Sequence, residues 1–207
     1  PGLEQGSYEE QCRLRVESMQ GLTPFFPAYL RRMGHEAWHV WFNNEAMQRR
    51  WAREHGVKVA PRKRWRFWLR RGIVPWVSYG ESEDWVYDVL RAQIEHYRPD
   101  VILNCNIRLD TGFLKALRSQ YRLLVGVHAS PMPGPDRDLG IYDLIVSSLA
   151  NLVNDFRQMG VRTEHVAWGF EPAVLEQVGA RSREIGVSFI GSLQPAHSER
   201  KDWLEEV

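Results

Sequence analysis

The chain has 207 residues, of which 43% are hydrophobic, and its formal net charge is +1. This length and composition suffice for one globular domain, or for one domain and the start of another, and they exclude an intrinsically disordered chain. No apolar run approaches the roughly 18 residues that span a bilayer, and no secretion signal is recognisable at the N-terminus, so we expect a cytoplasmic protein.

The small net charge conceals a concentration of basic residues. Between Arg49 and Arg71, ten Lys or Arg residues stand against a single acid, Glu54. A domain that holds duplex DNA usually carries its positive charge more widely, so this local excess argues against that class. Cys12 and Cys105 are far apart and lack the spacing of a zinc site, which predicts two free buried thiols and no disulfide.

Short aliphatic runs alternate with segments of helical period along most of the chain. This alternation predicts an α/β, Rossmann-like fold with a mostly parallel sheet and helices on both faces. Several runs are apolar almost throughout, as strands buried on both faces are. The predicted helices are 8–19, 22–33, 82–97, 110–119, 149–159 and 172–179, and the predicted strands are 36–42, 57–60, 100–104, 122–127, 142–147, 163–168 and 187–191.

The order of these elements predicts a division near the end of the chain. Two helical segments come before the first predicted strand, so we expect the first strand of the sheet upstream of Pro1. Residues 180–185 are polar and predict a linker, after which a new strand begins. We therefore assign 1–179 to a Rossmann-like domain, and 180–207 to a linker and the first strand and helix of a second domain.

Polar residues follow several predicted strands. The carboxyl edge of an open parallel sheet is where such proteins bind ligands, because the loops there vary freely and helix N-termini point inward. Each residue also has a structural interpretation: a satisfied imidazole, a helix cap or a partner for loop backbone groups. The candidate ligand-binding residues at this edge are Asn104, Asn106, His128, Ser130, Ser147, Ser148, Gly169 and Glu171.

The common signatures of several enzyme classes are missing from the sequence. There is no GxGxxG after a strand and no GxxxxGK[ST], which leaves neither a dinucleotide fingerprint nor a P-loop. There is also no GxSxG nucleophile elbow, no HExxH and no carboxylate cluster. We therefore expect no metal and no cofactor.

Several motifs, taken in order, resemble a known family. These are GHEAWHVWFN, PDVILN, LLVGVHASP, YDLIVSS, VAWGFEPAVL and VSFIGSL. Together they resemble the N-terminal half of GT-B glycosyltransferases, and among these the bacterial family 4-like enzymes and the spore-coat-type glycosyltransferase-like proteins. The resemblance extends over residues 30–207 and rests on the order and spacing of the motifs.

The resemblance implies a two-domain enzyme in which the N-terminal domain holds the acceptor and the C-terminal domain holds a nucleotide sugar. It implies a catalytic role for His128 and a turn at Gly191 and Ser192 close to the donor diphosphate. The family often has Asp after this His, where this chain has Ala129. The acidic donor motif of the family would lie beyond Val207, so we expect no sugar transfer by these 207 residues alone.

The predicted function is therefore the N-terminal part of a glycosyltransferase that moves a sugar from a nucleotide-sugar donor to a saccharide, lipid or protein acceptor. Three alternatives remain open. A sugar-nucleotide epimerase has the same two-domain fold. A non-catalytic sugar- or nucleotide-binding module is favoured by Ala129. Nucleic-acid binding rests on residues 49–71 alone and ranks last.

Residues 62–71, RKRWRFWLRR, contain six basic and four bulky apolar residues. At helical period Trp65, Trp68 and Leu69 share one stripe, so we expect a basic amphipathic helix. One interpretation is a surface helix that packs its Trp stripe on the core beneath arginine stems. The other is a peripheral contact of residues 62–76 with anionic lipids at the inner face of a membrane.

Overall fold

A computed structural model shows the fold. It describes residues 5–19, 25–59, 63–70, 74–81, 84–105, 107, 109–130, 138–179, 182, 184–186, 188, 191 and 203–204. Contacts divide the chain into two compact units, Pro1–Glu171 and Pro172–Val207. The boundaries predicted from the sequence, at 179 and 180, stay a prediction.

The first unit contains six helices and six strands in its described part. The helices are α1 (Tyr8–Glu17), α2 (Phe25–Arg32), α3 (Glu45–Glu54), α4 (Trp85–Tyr97), α5 (Thr111–Ala116) and α6 (Ala150–Gln158). The strands are β1 (Lys63–Arg70), β2 (Val74–Glu81), β3 (Val101–Cys105), β4 (Leu123–Val127), β5 (Leu144–Ser147) and β6 (Thr163–His165). Short 3-10 helices lie at Arg118–Gln120 and Leu139–Ile141, and helix α7 (Pro172–Val178) belongs to the second unit.

The last four strands form an all-parallel sheet in the order β3-β4-β5-β6. Burial alternates along them, with Leu124 and Ile145 fully buried on one face. Apolar side chains of α4, α5 and α6, among them Ile94, Leu114 and Phe156, pack in the same core cluster. The chain thus has a Rossmann-like α/β fold with helices flanking a parallel sheet, as the alternation of strands and helices predicted.

The opposite face of this sheet is less covered. Val101 and Leu103 of β3 and Leu123 of β4 are exposed, and the alternate residues of β5 are half-buried. Branched aliphatic residues at these positions follow from strand propensity, since they suit a pleated surface. Packing on the helix-covered face is therefore what holds the strands, and with them the strand ends, in position.

A tyrosine crosses the buried face of the sheet above a glycine. A Cβ atom added to Gly126 of β4 would lie 3.1 Å from Cδ1 of Tyr142 and 3.3 Å from Cγ1 of Ile145. The tyrosine hydroxyl continues to the neighbouring strand, where it accepts a 2.7 Å hydrogen bond from Asn104 Nδ2. Glycine is thus needed at position 126 for the ring to lie close to the strand backbone.

Helices α1, α3 and α4 build a second core cluster. It contains Tyr8, Met47, Trp51, Trp85 and Val89, all buried. Helix α3 begins at an N-cap, because the side chain of Asn44 accepts a hydrogen bond from the backbone N–H of Met47. Helix α4 contributes residues to both clusters, so it connects these helices to the sheet core.

The described part of the predicted helix 62–71 forms a strand instead. Strand β1 pairs antiparallel with β2, with Trp65 opposite Tyr79 and Phe67 opposite Val77. Aromatic and basic residues alternate at 64–67, a period of two that fits a strand, and the following VPWVSY is rich in residues that favour strands. The prediction of a helix with Trp65, Trp68 and Leu69 on one face was wrong. A short run of mixed apolar and basic residues fits both the helical period and the two-residue period of a strand.

Other elements differ from the sequence prediction in extent. Residues 36–42 form no strand and lead through Asn44 into α3, a helix that the aliphatic pattern did not reveal. The described part of 57–60 is also irregular. Strands at 100–104, 122–127, 142–147 and 163–168 are confirmed, although β6 ends at His165. Most of the predicted strand 187–191 lies outside the described residues.

Within the part of the chain that the structure describes, no helix has both the length and the apolar composition to cross a membrane.

The contact between Gly126 and Tyr142 predicts a cost for any larger residue at position 126. We expect Gly126→Ala to lower the free energy of unfolding by about 1–3 kcal/mol, because the new methyl group must displace a buried ring. Chemical denaturation measures this change. Gly169→Ala is the matched control, since no atom lies within 4 Å of a Cβ built there; equal effects of the two substitutions would contradict the packing described here.

Candidate functional site

His128 directly follows β4 at the carboxyl edge of the parallel sheet. Its backbone N–H donates a 3.0 Å hydrogen bond to the carbonyl of Val146, so it continues the pairing of β4 with β5. The side chain is only 4% exposed, and its ring meets Phe156 of α6 edge to face with centroids 5.9 Å apart. The imidazole therefore has a defined position on the helix-covered side of the sheet.

The strand register aligns three candidate polar residues. Val127 pairs with Val146, so His128 and Ser147 come next on their strands, and Ser147 pairs with His165. Side chains of residues that pair across neighbouring strands of a parallel sheet project from the same face. His128, Ser147 and His165 thus form one row, the edge row, at the carboxyl ends of β4, β5 and β6.

Ser130 extends the edge row towards solvent. Its Oγ lies 3.4 Å from Nε2 of His128, a long hydrogen-bonding distance, and the serine is exposed. The imidazole nitrogen Nε2 therefore faces a residue that a bound ligand can reach. A ligand hydroxyl near Ser130 would be within hydrogen-bonding range of the same nitrogen.

The two serines after β5 have different environments. Ser147 is buried, and its Oγ accepts a 3.1 Å hydrogen bond from the backbone N–H of Leu149, which organises the entry into α6. The carbonyl of Ser148 lies 3.2 Å from His165 Nε2. Ser148 Oγ is itself buried and has no hydrogen-bond partner among the described residues. Ser147 thus stabilises the turn before α6. The N-cap residue of that helix is Leu149, so neither serine is its N-cap, and Ser148 retains hydrogen-bonding capacity.

Asn104 lies deeper than the edge row. The register pairs it with Gly126, two residues before His128, and the residue is buried. Its amide donates to Tyr142 Oη across the face of β4. This geometry assigns the Asn104 amide to the core of the sheet and away from the ligand edge.

Gly169 and Glu171 lie in the irregular segment after β6. Gly169 is exposed, and Glu171 is half-buried with Oε1 3.4 Å from the hydroxyl of Tyr29 on α2. Gly191 is exposed in the second unit. Asn106 and Ser192 lie outside the described residues. The structure thus brings together His128, Ser130, Ser147 and Ser148 among the residues that the sequence pointed to.

The two cysteines are free and half-buried. Burial raises the pKa of the Cys105 thiol at the end of β3. Burial also raises the pKa of Cys12, with the carboxylates of Glu9 and Glu54 adding to the effect and a hydrogen bond with Tyr8 opposing it. A raised pKa keeps both thiols protonated at neutral pH, so neither has the environment of an activated nucleophile.

Across the described ranges, no group of three His, Cys, Asp or Glu side chains is placed to hold a metal ion. A depression of about 360 Å³ lies at the other end of the sheet, where β4 and β5 begin. Arg118, which lines it, already donates hydrogen bonds to the Asp143 carboxylate, at 3.0 Å, and to two backbone carbonyls. The carboxyl edge is therefore the better candidate for ligand binding.

Sequence reasoning missed His165 as a member of the edge row. The predicted strand ran to residue 168, which placed His165 inside a strand instead of at its end. Tyr142 was also missed, since its partner Asn104 is 38 residues away. An earlier end for the predicted strand would have placed His165 at the carboxyl edge, level with Ser147. No local sequence pattern identifies Tyr142.

No protein-family model, curated protein or solved structure matches this chain. The fold and the arrangement of the edge row are therefore the basis for a functional proposal.

The buried hydrogen bond of Asn104 predicts that Tyr142 is needed for stability. We expect Tyr142→Phe to lower the free energy of unfolding by about 1–3 kcal/mol, because the Asn104 amide loses its hydroxyl partner inside the core. Chemical denaturation is again the measurement. Tyr29→Phe, which removes a hydroxyl from an exposed contact, is the control; a Tyr142→Phe protein as stable as this control would argue against the core role of Asn104.

The raised pKa values of the cysteines predict an alkaline loss of stability. The thiolate is disfavoured in the fold, so this contribution to stability is complete below the pKa of an unfolded cysteine and decreases as pH rises towards the raised pKa. Thermal unfolding across neutral to alkaline pH measures the decrease. Cys12→Ser/Cys105→Ser should make the profile flatter, and an unchanged slope in this variant would assign the pH dependence to other groups.

Proposed function

We propose that this chain is the acceptor-side domain of a glycosyltransferase that uses a nucleotide-sugar donor. One observation carries the proposal: His128, Ser147 and His165 share a row at the carboxyl edge of a parallel sheet, where α/β enzymes bind their substrates. The resemblance of the sequence motifs to GT-B glycosyltransferases is the reason for proposing sugar transfer at this edge.

Sugar transfer forms a bond between an acceptor hydroxyl oxygen and the anomeric carbon of the donor sugar. The bond from that carbon to the nucleotide diphosphate breaks, and the acceptor loses a proton. In our proposal Nε2 of His128 receives this proton as a general base. The buried, ring-packed imidazole suits the role because its orientation is fixed before the acceptor arrives.

The neighbouring hydroxyls position the acceptor in this proposal. Ser130 lies 3.4 Å from the imidazole Nε2 and is open to solvent, so it can bind the hydroxyl that reacts or an adjacent one. Serine hydroxyls at this edge suit a polyhydroxylated acceptor such as a saccharide.

The donor side belongs to the second unit in the proposal. The resemblance implies that Gly191 and Ser192 lie close to the donor diphosphate, whose charge suits backbone N–H groups. We place the reaction in the cytoplasm, since both cysteines of the chain are free and cytosolic proteins rarely contain disulfides.

A second candidate is a non-catalytic module that binds a sugar or a nucleotide. Two observations favour it: Ala129 follows His128 where the resembling family often has Asp, and His128 is almost fully buried. The pattern of His followed by Asp that the resembling family often has is therefore incomplete in this chain. In such a module His128 would hold a ligand hydroxyl without taking its proton.

The test of the proposal is transfer of labelled sugar by the complete protein that carries these residues, supplied with a panel of nucleotide sugars and saccharide acceptors. We expect His128→Ala to lower kcat by about 10²–10⁴-fold, the usual contribution of a general base. His35→Ala is the matched control, since His35 lies exposed in the loop after α2. Its kcat should equal that of the wild type.

Two results would contradict the proposal. Transfer that is unchanged in His128→Ala would remove this residue from catalysis. Binding of saccharides by the wild type without transfer from any donor would favour the non-catalytic module. Saturation-transfer NMR on the same proteins separates these results, because it measures binding without turnover.

A further inference from the structure

The hairpin of β1 and β2 has a face of exposed apolar side chains. Trp65 is 60% exposed, Phe67 75%, Val77 48% and Tyr79 56%, and Pro75 is exposed as well. We call these five residues the hairpin face. Such exposure is unusual for large apolar residues, which normally bury most of their surface in the core.

The register makes the hairpin face continuous. Trp65 pairs with Tyr79, and Phe67 pairs with Val77, so these residues occupy alternate positions on paired strands and share one side of the ribbon. The rings of Trp65 and Tyr79 are in contact, with centroids 4.9 Å apart and an angle of 42° between their planes. A contiguous exposed apolar patch of this kind marks a surface that binds a partner.

The hairpin is also strongly basic. Strand β1 contains Lys63, Arg64, Arg66 and Arg70 and no acid, and the only acid of β2 is Glu81 at its end. The segment from Arg49 to Arg71 contains ten basic residues and one acid. A partner of this surface must therefore be apolar where it meets the hairpin face and negatively charged around it.

We propose that the hairpin is a docking element for the surface of an anionic lipid bilayer. Trp and Tyr favour the level of the lipid headgroups, and Phe67 and Val77 can enter the acyl boundary below it. The docking is independent of the proposed function, since it concerns a different part of the first unit.

The dimensions of a two-stranded ribbon fit this location. An interfacial element lies with its apolar face about 5–10 Å deep in the headgroup region. Packed sheets stand about 10 Å apart, which is the thickness of one sheet with its side chains. The alternate positions of β1 on the other side of the ribbon are Arg64, Arg66, Trp68 and Arg70, so three of these four positions are basic. Arginine binds phosphate through paired N–H groups, so the charge of the hairpin complements that of the bilayer.

A lipid surface fits the hairpin face better than a single-stranded nucleic acid does. Bases stack on open aromatic faces, but Trp65 and Tyr79 lie tilted against each other, and Val77 and Pro75 provide no aromatic ring for stacking. Aliphatic groups beside aromatic ones gain most from a hydrocarbon environment.

The experiment is vesicle flotation of the 207-residue chain. We expect recovery with vesicles of equal parts phosphatidylcholine and phosphatidylglycerol, and little recovery with phosphatidylcholine alone. Phe67→Ser should weaken binding to the anionic vesicles about tenfold, since a buried aromatic side chain is lost. Met33→Ser is the matched control, because Met33 is 71% exposed outside the hairpin; it should bind as the wild type does.

A second pair of variants tests the charge. Arg64→Gln/Arg66→Gln should weaken binding about fivefold for each arginine removed, and more at low salt than at high salt. Arg122→Gln/Arg162→Gln removes the same charge from exposed positions outside the basic segment and should have a smaller effect. The thermal unfolding midpoint of each variant establishes that the fold is kept.

Three results would overturn the lipid proposal. Equal recovery with both kinds of vesicle would exclude recognition of anionic lipid. Equal binding by Phe67→Ser and Met33→Ser would exclude the hairpin face. Binding of a single-stranded oligouridylate that Phe67→Ser abolishes, without binding to vesicles, would assign the hairpin to nucleic acid instead.

Discussion

The candidate site depends on one buried hydrogen bond, the 2.7 Å contact from Asn104 Nδ2 to Tyr142 Oη. The bond joins β3 to Tyr142, two residues before β5, and it passes over β4 at Gly126, where a larger residue would collide with the ring. Because it lies inside the core, it is costly to break. Three adjacent strands thus keep a fixed register, and the ends of β4 and β5 reach the carboxyl edge at the same level.

The properties of the edge row follow from this register. His128 lies one residue beyond β4, packed against Phe156, while Ser130 leads from its Nε2 towards solvent. Ser147 Oγ accepts a hydrogen bond from the backbone N–H of Leu149, and His165 Nε2 lies 3.2 Å from the Ser148 carbonyl. The proposed role of His128 as a general base depends on this buried imidazole and on the exposed Ser130 hydroxyl 3.4 Å from its Nε2. The depression at the opposite end of the sheet has no comparable group, because Asp143 and backbone carbonyls already engage Arg118.

The sequence was informative where a pattern was long or strongly apolar. The four parallel strands and the helices between them could be predicted, since aliphatic runs of four or five residues rarely fit anything else in this order. The location of His128 at the carboxyl edge could also be predicted, because the residue directly follows such a run. The role of Asn104 could not be predicted, because its partner Tyr142 becomes a neighbour only through the fold. His165 was missed for a smaller reason, a strand drawn three residues too long.

The hairpin shows why a periodic pattern can fail. Over ten residues, a basic run with interspersed Trp, Phe and Leu satisfies a helical stripe and a two-residue alternation almost equally well. The structure selects the strand, because the pairing of Trp65 with Tyr79 supplies cross-strand contacts that a lone helix lacks. The result also changes the interpretation of the basic segment, from a helix that packs its tryptophans inward to a ribbon that leaves its aromatic face exposed.

The most direct test of the account is the location of a bound acceptor. Backbone amide shifts of the labelled chain, followed during titration with a panel of oligosaccharides, would report it residue by residue. We expect the perturbed amides to cluster at His128, Ser130, Ser148 and His165. Perturbation centred on Arg118 and Asp143 at the opposite end of the sheet, with the edge row unchanged, would contradict it.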